Sequence, residues 1–163
     1  MQDSSFFYKL TGRVVVQNMD SVIVSTQSNN AFIFLPNLSP KLENKMVKTI
    51  LYKVDTVLYK HRLLNAYKEV NDRQKYYLEY VFFDKLSSIP ISSFGRYPIF
   101  IGISGSTGQL YTKSKMRYIK SYLFNQLNFY SNIEKTPFQK FVFHIMVVLK
   151  IIKNYWYRRL GLC

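Results

Sequence analysis

At 163 residues with a 48% hydrophobic share, the chain is long enough for a real core and too apolar for wholesale disorder. Its single cysteine, Cys163, excludes an internal disulfide framework and any cysteine-based zinc site within the chain. A formal net charge of +14 points to polyanionic partners, and the charge is unevenly placed. Residues 1–38 balance two Lys/Arg against two Asp, residues 39–85 set ten against six, and residues 86–163 set eleven against Glu134 alone. Contact between the C-terminal half and a polyanion is therefore expected, with nucleic acid ahead of an anionic membrane surface.

Residues 6–35 read as a small β meander. Tyr8–Gln17 and Ser21–Ser25 are rich in Val, Ile and aromatics, with a turn at Asn18-Met-Asp20 between them. Gln27–Asn30 is a second polar turn, and Ala31–Leu35 a third short strand. The segment has no charge bias, which suits packing or protein contact better than RNA contact.

Pro36–Pro40 reads as a linker, with Ser39 as cap and Pro40 opening a long helix that runs to about Val70. Leu42, Met46, Ile50, Val54, Val57, Leu58 and Leu64 keep a helical period, with Lys41, Lys45, Lys48, Lys53 and Lys60 between them. Such a lysine-studded face is usually just solvated; RNA backbone or a membrane surface are the other possible contacts. Asn71-Asp72 breaks the helix, and Lys75–Lys85 is open between helix and strand, leaning to helix.

From Ser87 the texture changes. Ile99–Ile103 is a short strand that ends in Ser104-Gly-Ser-Thr-Gly108. A phosphate-cradling loop would need a Gly-Lys-Ser/Thr ending and a helix; Gln109-Leu-Tyr-Thr follows instead, so the stretch reads as a hairpin turn. Lys113, Lys115 and Arg117 then fall at every second position, placing three cations about 6–7 Å apart on one strand face, with Lys120 beyond them. That spacing can match successive phosphates without reading sequence. Leu123–Ile133 reads as another apolar strand.

The last element is the longest. Thr136 is its N-cap, Pro137 stands at its first position, and Gln139 completes a capping box. Phe138, Phe141, Val142, Ile145, Leu149 and Ile152 form one face, while Phe143, Val147 and Val148 leave the opposite side hardly polar. The helix should therefore be covered on most sides. Lys150, Lys153, Arg158 and Arg159 gather towards its C-terminal end, where the helix dipole favours cations. Tyr155–Leu162 reads as the opening of a strand.

Catalytic and metal-binding patterns are absent. His61 and His144 have no acidic or cysteine neighbour at ligand spacing, and His144, on an apolar helix face, reads as a core residue. No nucleophile elbow, zinc-protease helix or dinucleotide fingerprint occurs. The reading is of a non-enzyme with no cofactor, no metal and no small-molecule substrate.

Composition carries a second message. Phe, Tyr, Met, Ile, Asn and Lys number 72, against 20 for Gly, Ala, Arg and Pro, which fits a strongly AT-rich genome such as organellar DNA. The N-terminus, with Asp3 and no Arg-rich amphipathic pattern, is unlike a transit or signal peptide, so synthesis inside the organelle is expected.

The C-terminal half resembles the first domain of the large-subunit ribosomal protein six family, bacterial and mitochondrial type. The resemblance runs through Ile89-Pro90-Ile91, the strand Ile99–Ile103 and Gly105-Ser-Thr-Gly108-Gln-Leu110 at the hairpin. It continues through Thr136 opening the helix, Met146-Val147 inside it, and Trp156-Tyr-Arg158-Arg159-Leu160-Gly-Leu162 as the strand that follows. About 75 residues are covered; the hairpin lacks the family's proline, and Lys135 stands where the family has glycine. The family's second domain has no counterpart before Cys163. The resemblance implies an α+β fold that binds large-subunit rRNA.

The expectation is an α+β chain in two parts: residues 1–85 as a lineage-specific extension of β meander and long helix, and residues 86–163 as a small antiparallel sheet packed on one C-terminal helix. It would be a structural constituent of a mitochondrial large ribosomal subunit, in the matrix. Lys113, Lys115, Arg117, Lys120, Lys150, Lys153, Arg158 and Arg159 would neutralise rRNA phosphates. Neighbouring ribosomal proteins, and a separate chain completing the second domain, would be further partners; a membrane is not expected to be one. The alternative is a lineage-specific accessory subunit of a respiratory membrane complex.

Overall fold

The computed structural model describes residues 5–34, 46–103, 108, 110, 111, 118, 119 and 121, and ten positions between 137 and 159. Within them the chain is α+β. Its first strand, β1 (Phe6–Leu10), turns through Gly12 and Arg13 into β2 (Val14–Val16). Arg13 takes a left-handed conformation, φ 68°, at that turn. The chain continues through α1 (Met19–Ser25) and β3 (Ala31–Phe34) to the longest strand, β4 (Val47–Asp55). The short α2 (Thr56–Leu58) passes into a π-helical turn, Tyr59–Leu63, and two 3₁₀ turns. Then come α3 (Leu78–Leu86), β5 (Ser92–Ser93) and β6 (Phe100–Gly102).

Four strands form one sheet in the order β1-β4-β3-β5, and β2 pairs with β6 in a second sheet. There is no meander: β1 lies antiparallel to β4, not to β2, and β3 is antiparallel to β4 and parallel to β5. Both faces of the four-stranded sheet are buried. Phe32, Phe34, Tyr52 and Val54 meet Val81, Phe82 and Leu86 of α3 on one face. Ala31, Ile33 and Leu51 meet Val14, Val16, Val22, Phe94 and Phe100 on the other. Fully burying a Val, Leu, Ile or Phe side chain contributes roughly 1.5–3 kcal/mol, so these two layers dominate the stability. Phe32 and Tyr52 are cross-strand partners, and their rings stack at 5.6 Å.

Two expected elements of the first 85 residues change type. The expected helix from Pro40 to Val70 is a strand over Val47–Asp55. A strand buried on both faces lacks the two-residue alternation that would announce it, and the apolar residues of β4 also satisfy a helical period. Helix begins only after Asp55, whose Oδ1 accepts from the backbone N–H of Val57 at 2.8 Å and of Leu58 at 3.1 Å. Asp55→Ala should remove that cap and lower stability by about 1 kcal/mol in urea titration; an unchanged midpoint would show that the cap does not matter. The expected strand Ser21–Ser25 lies inside α1. Its stability comes from packing rather than propensity: Val22 is fully buried, and the Thr26 hydroxyl donates to Val22 O at 2.6 Å.

The helix expected over Lys75–Lys85 is α3, and the strand expected at Ile99–Ile103 is β6. Beyond it Ile103 bridges Leu110, and the Tyr111 N–H donates to Gly102 O at 2.9 Å, so the two arms of the expected hairpin meet. Residues 92–102 pair with strands of the first 34 residues through β5 and β6. Tyr118, Ile119 and Ser121 are helical, as are all ten described positions between 137 and 159. Helical geometry at Tyr155 and Arg159 replaces the strand expected to open there.

Gly95 marks a close approach. Its N–H donates to Thr26 Oγ1 at 3.2 Å, and a Cβ at this position would lie 2.0 Å from Ser25 O and 2.6 Å from Ser25 C.

In β4 the register shifts sharply. Phe32 pairs with Tyr52 but Ile33 pairs with Lys48, so Thr49, Ile50 and Leu51 face no residue of β3. The freed Thr49 carbonyl accepts from Lys9 Nζ at 2.8 Å and from Thr11 Oγ1 at 3.3 Å, and the Thr49 hydroxyl donates to Glu79 at 2.9 Å. The bulge is thereby satisfied by side chains, as a part-buried backbone group requires.

Candidate nucleic-acid interface

Of the eight cations assigned to phosphate contact, Arg159 is described: it is helical and exposed. Lys113, Lys115, Arg117, Lys120, Lys150, Lys153 and Arg158 lie outside the described residues, as do Thr136, Gln139 and the segment 123–133. Among the helical positions described between 137 and 159, Phe138, Phe141, Ile145, Val148, Ile152 and Tyr155 are each between 42% and 67% exposed, while Val142 packs against the core cluster that includes the buried residues of α3. Their spacing, alternately three and four residues, is that of one face of a helix. The expected cover over this helix is therefore not found on that stripe. His144 is exposed as well, in place of the expected core position.

Two lysines of the described region are turned inward. Lys53 is 4% exposed; its Nζ donates to Thr26 O at 3.1 Å and lies 4.0 Å from the centroid of the Phe6 ring and 5.7 Å from that of Tyr8. The ammonium thus sits at the carbonyl end of α1, where the helix dipole is negative, and against aromatic faces that attract cations. Burial still pushes its pKa down. Burial also lowers that of Lys9, with Glu79 pulling it back up. Lys53, so enclosed, is not on a phosphate-accessible surface. The expectation that Lys53 lies on a solvated helix face is corrected.

A cleft of about 240 Å³ opens beside the second sheet, lined by residues 97–100, Tyr111, Tyr118 and Lys48. Asn18 holds its backbone from beneath: its side-chain amide donates to Tyr97 O at 3.1 Å and accepts from the Ile99 N–H at 2.7 Å. The Gln17 N–H donates to Ile99 O at 2.9 Å, extending the pairing of β2 with β6. Tyr118 is anchored by its hydroxyl, which donates to Tyr97 O at 3.2 Å. Tyr97 and Tyr118 meet edge to face at 6.0 Å, and Phe100 and Tyr111 are tilted at 6.2 Å. Tyr97 and Phe100 are core residues, 3% and 6% exposed, and Tyr111 and Tyr118 pack against the same cluster. Lys48 is the one charged residue among the described lining, and no carboxylate is among it.

No protein-family model, curated protein or solved structure matches the chain.

The sequence pattern does not show the cleft, because it puts Lys48 on a helix face and assigns residues 96–98 to no element. A signal was present: four aromatics, Tyr97, Phe100, Tyr111 and Tyr118, fall close together in the most basic part of the chain. Among the described residues no cluster of His, Cys, Asp or Glu could hold a metal ion, and no helix is long and apolar enough to cross a membrane.

Proposed function

We propose that the chain is a structural constituent of an organellar, mitochondrial large ribosomal subunit and that its basic C-terminal half lies against rRNA phosphates. The carrying observation is the charge asymmetry: eleven Lys/Arg against one acid over residues 86–163. A surface so loaded gains its affinity by releasing counterions from a nucleic-acid backbone. The resemblance to the first domain of the ribosomal protein six family and the AT-rich composition point the same way. The N-terminal half would then meet neighbouring proteins.

Replacing Lys113, Lys115 and Arg117 together by Ala should weaken RNA binding and flatten its salt dependence by up to about three ion equivalents. An unchanged salt slope removes those three residues from the interface. Co-sedimentation with the large ribosomal subunit tests the assignment as a whole, and failure to co-migrate overturns it.

The exposed stripe of Phe138, Phe141, Ile145, Val148 and Ile152 favours one other reading, an accessory subunit that lays this helix against the edge of a respiratory membrane complex. In that case the chain would migrate with a detergent-solubilised membrane complex and leave the ribosome fraction.

A further inference from the structure

Strand β1 is the outermost strand of the four-stranded sheet, and its far edge is open. The Thr56 N–H donates to Ser5 O and the Thr11 N–H to Ile50 O, each at 2.9 Å, so the odd-numbered residues turn their backbone groups towards β4. The N–H and C=O of Phe6, Tyr8 and Leu10 therefore point away from the sheet, and no described residue bonds them. Natural edge strands are kept apart by proline, by bulges or by a charge that reaches over the edge. Strand β1 (FFYKL) contains no proline and pairs with β4 without a register shift. Lys9, its one charge, is bonded back to Thr49 O at 2.8 Å and to Thr11 Oγ1 at 2.9 Å. Lys53, whose ammonium lies over the Phe6 ring, is likewise committed to Thr26 O.

Such an edge suits an uncharged strand with apolar residues spaced evenly about its centre. Strand β1 is itself such a strand: Phe6 and Leu10, 47% and 42% exposed, stand two residues either side of Tyr8 on the same face. We propose that β1 pairs antiparallel with β1 of a second copy of this chain, about a two-fold axis at Tyr8. The two Tyr8 residues then exchange both backbone bonds, and Phe6 of each copy meets Leu10 of the other in a pair of the same kind. Charge permits this contact. Residues 1–38 balance two cations against two acids, so pairing joins the neutral parts of a chain that carries +14 overall. An acidic strand of another protein would find no uncommitted cation within β1. Both ends of β1 are already tied, at Ser5–Thr56 and Thr11–Ile50, so the edge is ordered before a partner arrives. The inference goes beyond the ribosomal reading and does not depend on it, since that reading rests on residues 86–163.

The test is sedimentation velocity on the full chain, without RNA, from about 1 to 200 μM. An edge contact this short buries less than the roughly 1,000 Å² of a firm interface, so the mass should rise from 19.4 kDa towards twice that value within the micromolar range. Leu10→Pro removes an outward N–H that has no partner in the chain, and it should weaken the dimer at least about tenfold while circular dichroism shows the fold retained. Leu10→Lys serves if that variant does not fold. Register is read in a Cys163→Ser background carrying Ser5→Cys and Thr11→Cys. These two positions lie about 20 Å apart along their own strand. In the dimer each stands opposite the other, at about 4.5 Å between Cα atoms, within the reach of a disulfide. Mild oxidation should link the double variant into dimers, and neither single variant should link comparably. A chain that stays monomeric throughout overturns the proposal. A dimer that survives the Leu10 variants places the contact elsewhere and also overturns it. Equal cross-linking by the single variants overturns the two-fold at Tyr8, and species that keep growing past the dimer overturn the closed pair. The salt slope of RNA binding enters none of these outcomes, so the two readings fail separately.

Discussion

Gly95→Ala should destabilise the fold by at least about 3 kcal/mol, a large share of the roughly 5–15 kcal/mol that holds a domain of this size together. The new methyl group would stand 2.0 Å from Ser25 O, an atom of backbone rather than a side chain that can swing away. Neither segment has room to retreat. Phe94 is 1% exposed on one side of the contact and Val22 is fully buried on the other, and the Gly95 N–H is bonded to Thr26 Oγ1. Gly12→Ala is the control, because nothing lies within 4 Å of the position its Cβ would take. Urea denaturation followed by circular dichroism separates the two. A Gly95→Ala midpoint equal to that of Gly12→Ala would mean that α1 and the segment before β6 do not touch as described.

Raising the pH from about 10 to 12 should remove on the order of 2 kcal/mol of stability through Tyr52 alone. Burial, with the neighbouring Tyr59 hydroxyl adding to it, holds the Tyr52 phenol near about 12, above its ordinary 10.0. In the unfolded chain the same phenol ionises near its ordinary value. Between the two values the folded chain therefore binds more protons than the unfolded one, and stability falls as pH rises through this window. Tyr76, which donates to the Asp84 carboxylate at 2.5 Å, is also raised to about 12 by that bond and then by burial, and it acts in the same direction. The buried Lys53 and the half-buried Lys9 act in the opposite sense at lower pH. The depressed pKa of Lys53 and Lys9 is a cost carried while they are charged in the fold, and it is relieved as pH climbs towards the ordinary lysine value of 10.5. Denaturation midpoints at pH 8, 10 and 12 should show the loss in the wild-type chain, and in Tyr52→Phe a loss smaller by about 2 kcal/mol, the remainder coming from Tyr76. Parallel curves for the two proteins would remove Tyr52 as its source.

Much of this fold was hidden from the sequence for one physical reason: the central strand has no exposed face. Strand β4 shows apolar or part-buried side chains on both sides, and Lys53, which looked like the polar face of a helix, is buried against Phe6 and the end of α1. Periodicity reports contact with water, so a segment cut off from water on both faces gives no clear period. Strand-forming residues in α1 were overridden by contacts 69 to 79 residues away, those of Gly95 with Thr26 and of Asn18 with Tyr97. The β6 strand lies where the pattern puts it, and α3 falls on a stretch whose pattern leaves helix and strand open with a lean to helix. The cleft was legible only as composition, since its lysine comes from β4 and its rings from residues 97–118.

Strands β5 and β6 have a consequence for how the chain matures. Residues up to 86 can assemble β1, β4 and β3 with α3, but the opposite side of that sheet depends on Phe94, Tyr97 and Phe100, which emerge later during synthesis. Until they arrive, Ile33, Leu51, Val14 and Val22 lack part of their cover, and a nascent chain halted near residue 86 would be a sticky intermediate in need of a chaperone.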